Sequence, residues 1–167
     1  MPSWYLDLSM ISAYWSSTRF YHHTAPITMI YGFHEALALI AEEGLEARVK
    51  RHLKNGAALH AGLQAMGMKL HAQEGHRLCS LTTVRIPDGV DDAKVRAGLL
   101  AENNLEIGGG LGTLRGKIWR IGLMGHASTP ENVLLCLSAL EKQLTAQGYE
   151  MKSGAGVVAA SEILRKK

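Results

Sequence analysis

The sequence predicts an α+β fold, in which a small mixed or antiparallel sheet is covered by helices and preceded by a long kinked helix. Two long helical patterns come first and meet at Gly44. Short segments rich in β-forming residues follow, and they do not alternate strictly with helical segments, so a parallel sheet of βαβ units is not favoured. The β-forming segments are residues 80–86, 105–107 and 117–123.

The composition is that of a globular domain with a real core. Of the 167 residues, 47% are apolar and 20% are charged, which excludes a disordered chain. The net charge of +3 is small and the basic residues are scattered, so nucleic acid is not an expected partner. No signal peptide and no long apolar run is visible, and the two cysteines lack CxxC spacing. We therefore expect a cytoplasmic protein with free thiols and no membrane partner.

The first 33 residues hold eight of the ten aromatic residues. Within them, an apolar segment at residues 4–8 is followed by a half-helix around residues 10–15. A segment this aromatic is not expected to be a solvated tail, because its apolar surface must be buried against something. The rest of the chain, a further domain and a partner subunit are the three candidates.

Two helices account for residues 27 to 66. Thr24 is a good N-cap and Pro26 suits the first turn, so the first helix is expected to begin there and to run as far as Gly44, which breaks or kinks it. The second helix, residues 45–66, carries its leucines near one face and its charged residues off that face.

The remaining elements are short strands and two further helices. The segment at residues 80–86 alternates in polarity as a strand does, and Asp91 caps a helix that reaches Asn104. Thr129 and Pro130 begin the last long helix as N-cap and first residue. Three other segments are assigned by composition: a candidate strand at residues 70–72, a loop at 149–156, and a loose helix or frayed tail at 157–164.

The glycine run at residues 108–112 is not a phosphate loop. It contains neither GxGxxG nor GxxxxGK[ST], and a strand follows it where a phosphate loop would lead into a helix. We therefore interpret it as a turn whose backbone needs positive φ angles and close approach between neighbours.

Arg120 lies in the middle of the apolar strand at residues 117–123. A guanidinium cannot be neutralised, and burying it without a partner is very costly, so an anion must meet it. The anion is either a carboxylate of the protein or a carboxylate of a ligand. The residues alone favour an internal salt bridge, because buried charges are often structural.

The stretch Tyr21-His22-His23-Thr24 places two hydroxyls and two imidazoles just before a helix N-terminus. Backbone N–H groups and the helix dipole favour an anion there. Most helix starts bind nothing, however, and the residues alone favour a threonine cap beside a packed tyrosine. The eight histidines form no HxH, HExxH or Cys/His cluster, so no metal site is expected.

Several segments form a set: Ser3–Asp7, Tyr21–Pro26, Glu35–Ile40 with Glu43–Glu46, Ile107–Gly112, and Trp119–Gly125 with Asn132-Val133. In order and spacing this set resembles the C-terminal part of the alanine–glyoxylate and serine–pyruvate aminotransferases. These are class V, fold-type I enzymes that use pyridoxal 5'-phosphate. The resemblance extends from Ser3 to about Leu144.

The resemblance implies roles for three residues. Arg120 aligns with the arginine that forks onto the α-carboxylate of the amino or keto acid substrate, and a planar guanidinium suits that contact. Tyr21 and Thr24 align with the hydroxyls that reach the cofactor phosphate in the partner subunit of a homodimer. His22 and His23 would support them, and the glycine turn would bring backbone close to the substrate carboxylate.

The resemblance also places the Schiff-base lysine upstream of Ser3. The aspartate on the pyridine nitrogen, the aromatic that stacks on the cofactor ring and the phosphate-binding turn lie upstream as well. Residues 1–26 would then be a remnant of the large domain and a dimer-facing segment, residues 27–148 the C-terminal small domain with its leading helices, and residues 149–167 a tail.

The implied function is the transfer of an amino group from alanine or serine to glyoxylate or pyruvate, in an enzyme of which this chain is a part. Without the lysine, we expect the chain by itself to be inactive. The alternative is a non-catalytic isolated fragment, or an amino-acid-binding domain that needs a partner for activity.

Overall fold

The computed structural model describes residues 3 to 166 and divides the chain into two compact units, Met1–Gly44 and Leu45–Lys167. The division falls at the glycine where the sequence places the helix break. Gly44 has φ 81° and ψ 136°, a conformation that ends a helix and that glycine adopts without strain.

The first unit contains two helices, α1 (Leu8–Trp15) and α2 (Ile27–Glu43). Asp7 caps α1, because its carboxylate accepts hydrogen bonds from the backbone N–H groups of Ser9 and Met10, at 2.9 and 3.1 Å. The predicted half-helix is therefore confirmed. The predicted cap of α2 by Thr24 is wrong, since no side chain caps this helix.

Helix α2 is strongly apolar, yet none of its residues is buried. Met29 is 74% exposed and Tyr31 72% exposed. The other large apolar residues of α2 that are exposed are Ile27, Ile30, Phe33, Leu37 and Leu39. An apolar surface of this extent is typical of an interface.

The second unit is an antiparallel sheet covered by four helices. Its elements in chain order are α3 (Leu45–Ala65), β1 (Leu81–Arg85), α4 (Asp92–Asn103), β2 (Gly108–Gly109), β3 (Ile118–Gly122), α5 (Pro130–Thr145) and α6 (Ala155–Arg165). The strand order is β1-β3-β2, and both pairings are antiparallel. The predicted α+β class is confirmed, and the sheet is antiparallel rather than mixed.

The sheet extends beyond β1 through a single bridge. Leu70 pairs with Val84, and backbone hydrogen bonds of 2.8 Å run from His71 N–H to Thr83 C=O and from Arg85 N–H to Lys69 C=O. Of the candidate strand at residues 70–72, only Leu70 therefore forms a bridge to the sheet.

The predicted strand at residues 105–107 is wrong, because the backbone there is used to end α4. Asn104 adopts the left-handed conformation with φ 50°, and the Leu105 N–H bonds to the Leu99 carbonyl. The strand begins only at Gly108, inside the segment that the sequence assigns to a turn.

The core lies between one face of the sheet and the helices. Val84, Trp119 and Ile121 share that face, because directly opposite residues of antiparallel strands point to the same side. Leucines and valines of three helices complete the core: Leu59 and Leu63 of α3, Val95 and Leu99 of α4, and Val133, Leu137 and Leu140 of α5.

Helix α6 packs against α3 and α5, so residues 155–165 are a well-packed helix rather than a frayed end. Gly62 of α3 and Gly156 of α6 make this close approach. A Cβ built on Gly62 would lie 2.9 Å from the Gly156 carbonyl oxygen and would overlap Leu137. Backbones this close exclude any larger residue at Gly62.

Candidate functional site

Arg120 occupies the middle of the central strand, opposite Thr83 of β1 and Gly108 of β2. Its side chain therefore lies on the sheet face opposite to Trp119 and Ile121, which belong to the core. The residue is half-buried, and its Nε donates a 2.8 Å hydrogen bond to the carbonyl oxygen of Gly109.

Within residues 3 to 166, no carboxylate forms an ion pair with Arg120. The internal salt bridge that the residues alone favour is thus not what the structure contains there. The carbonyl of Gly109 satisfies one of the five N–H groups and fixes the plane of the guanidinium. The two terminal nitrogens have no hydrogen-bond partner among the described residues, and they form the edge that binds a carboxylate by two parallel hydrogen bonds.

Two glycines of the run at residues 108–112 make close contacts, one with this guanidinium and the other with the loop before β3. A Cβ built on Gly108 would lie 3.1 Å from Nη2 of Arg120 and 3.4 Å from its Cζ. A Cβ on Gly110 would overlap the backbone carbonyl of Leu114. The predicted close approach is confirmed at these two glycines, whereas a positive φ is found in the run only at Gly112, at 53°.

Trp119 anchors the strand on its other face. The indole is fully buried, and its Nε1 donates a 2.7 Å hydrogen bond to Oδ1 of Asp92, in the first turn of α4. Arg96 donates to the same carboxylate from Nε at 2.8 Å and from Nη2 at 3.1 Å. The Arg96 hydrogen bond, reinforced by Trp119, lowers the pKa of the Asp92 carboxyl below its ordinary 3.8. This network fixes β3, and thereby the position from which Arg120 projects.

Changing Asp92 to asparagine is expected to make the unfolding free energy less dependent on pH below pH 4. A carboxyl whose pKa is lower in the folded state contributes stability above its unfolded pKa, and that stability is lost as the pH falls through the folded pKa. The variant keeps an acceptor for Trp119 but loses the charge, so we expect it to be about 1 kcal/mol less stable at pH 7. Urea unfolding from pH 7 to pH 2.5 measures the difference in unfolding free energy, which should shrink as the pH falls.

The control is Asp88→Asn, which removes the same charge at an exposed position without a hydrogen-bonded guanidinium. We expect the free energy of this variant to follow that of the parent chain. A constant gap between Asp92→Asn and the parent chain at every pH would contradict the assigned ionic role of Asp92.

The loop that follows β3 is held by helix α3. Arg51 Nη1 donates to the carbonyl of Gly125 at 3.1 Å, and Asn55 Nδ2 donates to that of Ser128 at 2.8 Å. His52 donates from Nδ1 to the Arg48 carbonyl at 2.7 Å and accepts at Nε2 from the Gly125 N–H at 3.0 Å. These two contacts fix the neutral tautomer of His52 with its proton on Nδ1.

In the first unit, the hydroxyls of Tyr21 and Thr24 lie 2.9 Å apart and are both exposed. His22 is buried behind them, with its Nε2 donating to the Trp4 carbonyl at 2.8 Å and its Nδ1 2.8 Å from Nδ1 of His23. The two residues that the sequence predicts to bind the cofactor are thus side by side. The hydrogen bonds of His22 and His23 stabilise the segment that contains them.

Sequence reasoning missed Asp92, Arg51, His52 and Asn55. The Asp92–Arg96 pair has the i,i+4 spacing of a helical ion pair, so that part could have been found. The contact of Asp92 with Trp119 spans 27 residues, and those of α3 with Gly125 and Ser128 span more than 70. No local pattern in the sequence encodes such distances.

Within residues 3 to 166, no helix is long and apolar enough to cross a membrane. No group of three or more His, Cys, Asp or Glu side chains is arranged there to hold a metal ion.

No protein-family model matches the chain. It is 43% identical over 159 residues to the (S)-ureidoglycine–glyoxylate transaminase of Bacillus subtilis, and the match covers 95% of the chain and 38% of that protein. It is 41% identical over 146 residues to the alanine–glyoxylate aminotransferase of Callithrix jacchus, with 85% and 35% covered. The chain thus spans about two-fifths of the length of these curated relatives.

The fold is shared as well. The crystal structure of the Bacillus subtilis ureidoglycine–glyoxylate aminotransferase superimposes with a TM-score of 0.94 at 42% identity, covering 98% of the chain and 42% of that structure. These relatives are class V aminotransferases. By sequence and by fold, the chain therefore belongs to the class V aminotransferase family and corresponds to one part of such a protein.

Proposed function

We propose that the chain is the C-terminal part of an aminotransferase that uses pyridoxal phosphate and moves an amino group from a small amino acid, alanine or serine, to glyoxylate or pyruvate. Glyoxylate as the acceptor is supported by the names of the two relatives, both of which include it. The other substrates follow from the resemblance in the sequence.

The observation that carries this proposal is the state of Arg120. Its guanidinium is half-buried, oriented by the Gly109 carbonyl, and without an ion pair among residues 3 to 166. In this role Arg120 binds the α-carboxylate of the amino or keto acid through its terminal nitrogens. Alanine, serine, glyoxylate and pyruvate share that carboxylate, so one residue serves both donors and acceptors.

The residues of the first unit fit the phosphate of the cofactor. Tyr21 and Thr24 offer two hydroxyls 2.9 Å apart, exposed just before the N-terminus of α2, where backbone N–H groups favour an anion. When bound, pyridoxal phosphate supplies the electron sink that lets the amino group leave one substrate and join the other. The part of this chain is to hold the phosphate and to orient the substrate carboxylate.

We further propose that the full-length protein is a homodimer in which Tyr21 and Thr24 serve the cofactor of the partner. The exposed apolar surface of α2 supports this, because such surfaces mark interfaces. The domain limits at residues 26 and 148 belong to the same proposal. The second candidate is a non-catalytic domain that binds amino acids or a partner, and it is favoured if the lysine that carries the cofactor lies outside this chain.

Arg120→Lys is expected to weaken binding of glyoxylate and alanine by about tenfold or more, because one ammonium cannot replace a two-point hydrogen-bonded fork. Calorimetric titration of the chain, or titration followed by NMR at the Arg120 Nε–H signal, measures the affinity. Arg115→Lys is the matched control, since Arg115 is exposed and lies outside the sheet. Equal affinity for the Arg120→Lys variant and the parent chain would exclude Arg120 as the carboxylate anchor.

A second measurement tests whether the lysine that carries the cofactor lies outside this chain. We expect the chain, mixed with pyridoxal phosphate, alanine and glyoxylate, to produce no pyruvate, because the resemblance places the lysine that carries the cofactor upstream of Ser3. Turnover by the chain alone would show that the chain contains the complete machinery and that this assignment of the lysine is wrong.

A further inference from the structure

An open groove of about 590 Å³ runs along the outer edge of the sheet, and neither Arg120 nor Tyr21 lines it. Three of the side chains that line it are cationic: Lys69, Arg77 and Arg85. Gln64, at the end of α3, adds an amide. No carboxylate lines this groove.

Lys69 and Arg85 are held directly opposite each other by the backbone. The Leu70–Val84 bridge and the 2.8 Å hydrogen bond from Arg85 N–H to Lys69 C=O set the register, so both side chains leave the same face of the sheet. Like charges directly opposite each other on neighbouring strands destabilise a sheet. An anion bound between the two side chains would attract both of them and would offset their mutual repulsion.

Arg77 also lines the groove, and a backbone carbonyl orients its side chain. Its Nε donates a 3.0 Å hydrogen bond to the Ala72 carbonyl, while its terminal nitrogens make no hydrogen bond within residues 3 to 166. Arg77 also affects a titratable group of the same unit. The pKa of His60 lies below its ordinary 6.5, first because the His60 imidazole is partly buried and second because of the Arg77 charge.

The surrounding acids do not neutralise the three cations. Within residues 3 to 166, none of Lys69, Arg77 and Arg85 forms an ion pair. Asp88 lines the adjoining pocket together with Lys69 and Arg85, but it is not close enough to either for an ion pair. The three cations of this edge are therefore not paired with a carboxylate of the described residues.

We propose that this groove is a binding site for a small phosphorylated anion with two or more negative charges. Two guanidinium groups match the oxygens of a phosphate by paired hydrogen bonds, and the ammonium of Lys69 adds a third charge. Three cations are more than one carboxylate needs, so the groove suits an oligophosphate or phosphate ester.

The probe is inorganic pyrophosphate, titrated into the chain by calorimetry at low salt. We expect saturable binding that falls about tenfold in Lys69→Gln and in Arg85→Gln, since each removes a charge-assisted contact. The matched control is Lys50→Gln, which removes an exposed charge of α3 outside the groove and should bind like the parent chain. Tyr21→Phe tests the proposed cofactor site, which fits a phosphate as well, so a loss of binding in that variant alone would assign the anion to that site.

Two additional readouts keep the result independent of folding. On saturation with pyrophosphate, the NMR-measured pKa of His60 should rise, because the anion offsets the charge of Arg77. Without pyrophosphate, Lys69→Gln should be at least as stable as the parent chain, because the like-charge pair is gone. The proposal is overturned if the parent chain shows no saturable binding, or if both groove variants bind pyrophosphate like the parent chain.

Discussion

Replacing Gly110 by alanine is expected to destabilise the second unit by about 3 kcal/mol or more. The added Cβ would overlap the carbonyl oxygen of Leu114 and lie 3.1 Å from Cγ1 of Ile118. A backbone oxygen cannot turn aside as a flexible side chain can, so the loop between β2 and β3 must move. Gly109, whose carbonyl orients Arg120, is the preceding residue, and the site should be lost together with the fold of this edge.

Urea unfolding followed by circular dichroism measures the effect. Gly112→Ala is the matched control, because Gly112 has open space around its Cα and only a φ of 53° to oppose a side chain. That substitution should cost about 1 kcal/mol. Equal losses for the two variants would mean that conformational strain, and not the contact with Leu114, sets the requirement for glycine at position 110.

Trp119→Ala is the other change with a large expected effect, about 3–5 kcal/mol. The indole is fully buried opposite Val84 at the centre of the core, so its removal leaves a large cavity. It also removes the hydrogen bond to Asp92. Since a domain of this size has a total stability of roughly 5–15 kcal/mol, the variant should lose a large fraction of it.

Thermal unfolding of the variant, monitored by near-ultraviolet circular dichroism and compared with Trp15→Ala, measures this loss. Trp15 is 67% exposed, so the same chemical change should cost less than about 1 kcal/mol there. The assignment of Trp119 as the anchor of β3 would fail if the two variants melted at the same temperature. Trp119→Phe, which keeps most of the volume, should lie between them.

Much of the fold could be predicted because the signals are local. Asp91 and Thr129 cap α4 and α5 as expected, with hydrogen bonds to Lys94 N–H and Asn132 N–H at 3.1 and 3.2 Å. Gly44 ends the long helix because its φ of 81° is not helical, and glycine adopts this angle without strain. Thr24 does not cap α2, because that helix begins at Ile27 with Pro26 at the N-cap position, and the Thr24 hydroxyl is bonded to that of Tyr21 instead.

The candidate site was only partly accessible to sequence reasoning. An arginine in an apolar strand pointed to Arg120, but charge alone could not distinguish a salt bridge from a ligand. The distinction depends on the pairing of β2 with β3, which brings the Gly109 carbonyl to the guanidinium. That pairing uses a two-residue glycine strand, and glycines carry no β-forming signal.

The close contacts made by the helix glycines also limit how this sequence can evolve. A Cβ on Gly56 would lie 2.7 Å from the backbone oxygen of Cys79, and one on Gly62 would press on α6 and on Leu137. Every single-nucleotide change of a glycine codon that alters the residue adds at least one carbon atom. No first step away from glycine is therefore free of steric cost at these two positions, and any lasting change there requires a prior shift of the neighbouring helix or loop.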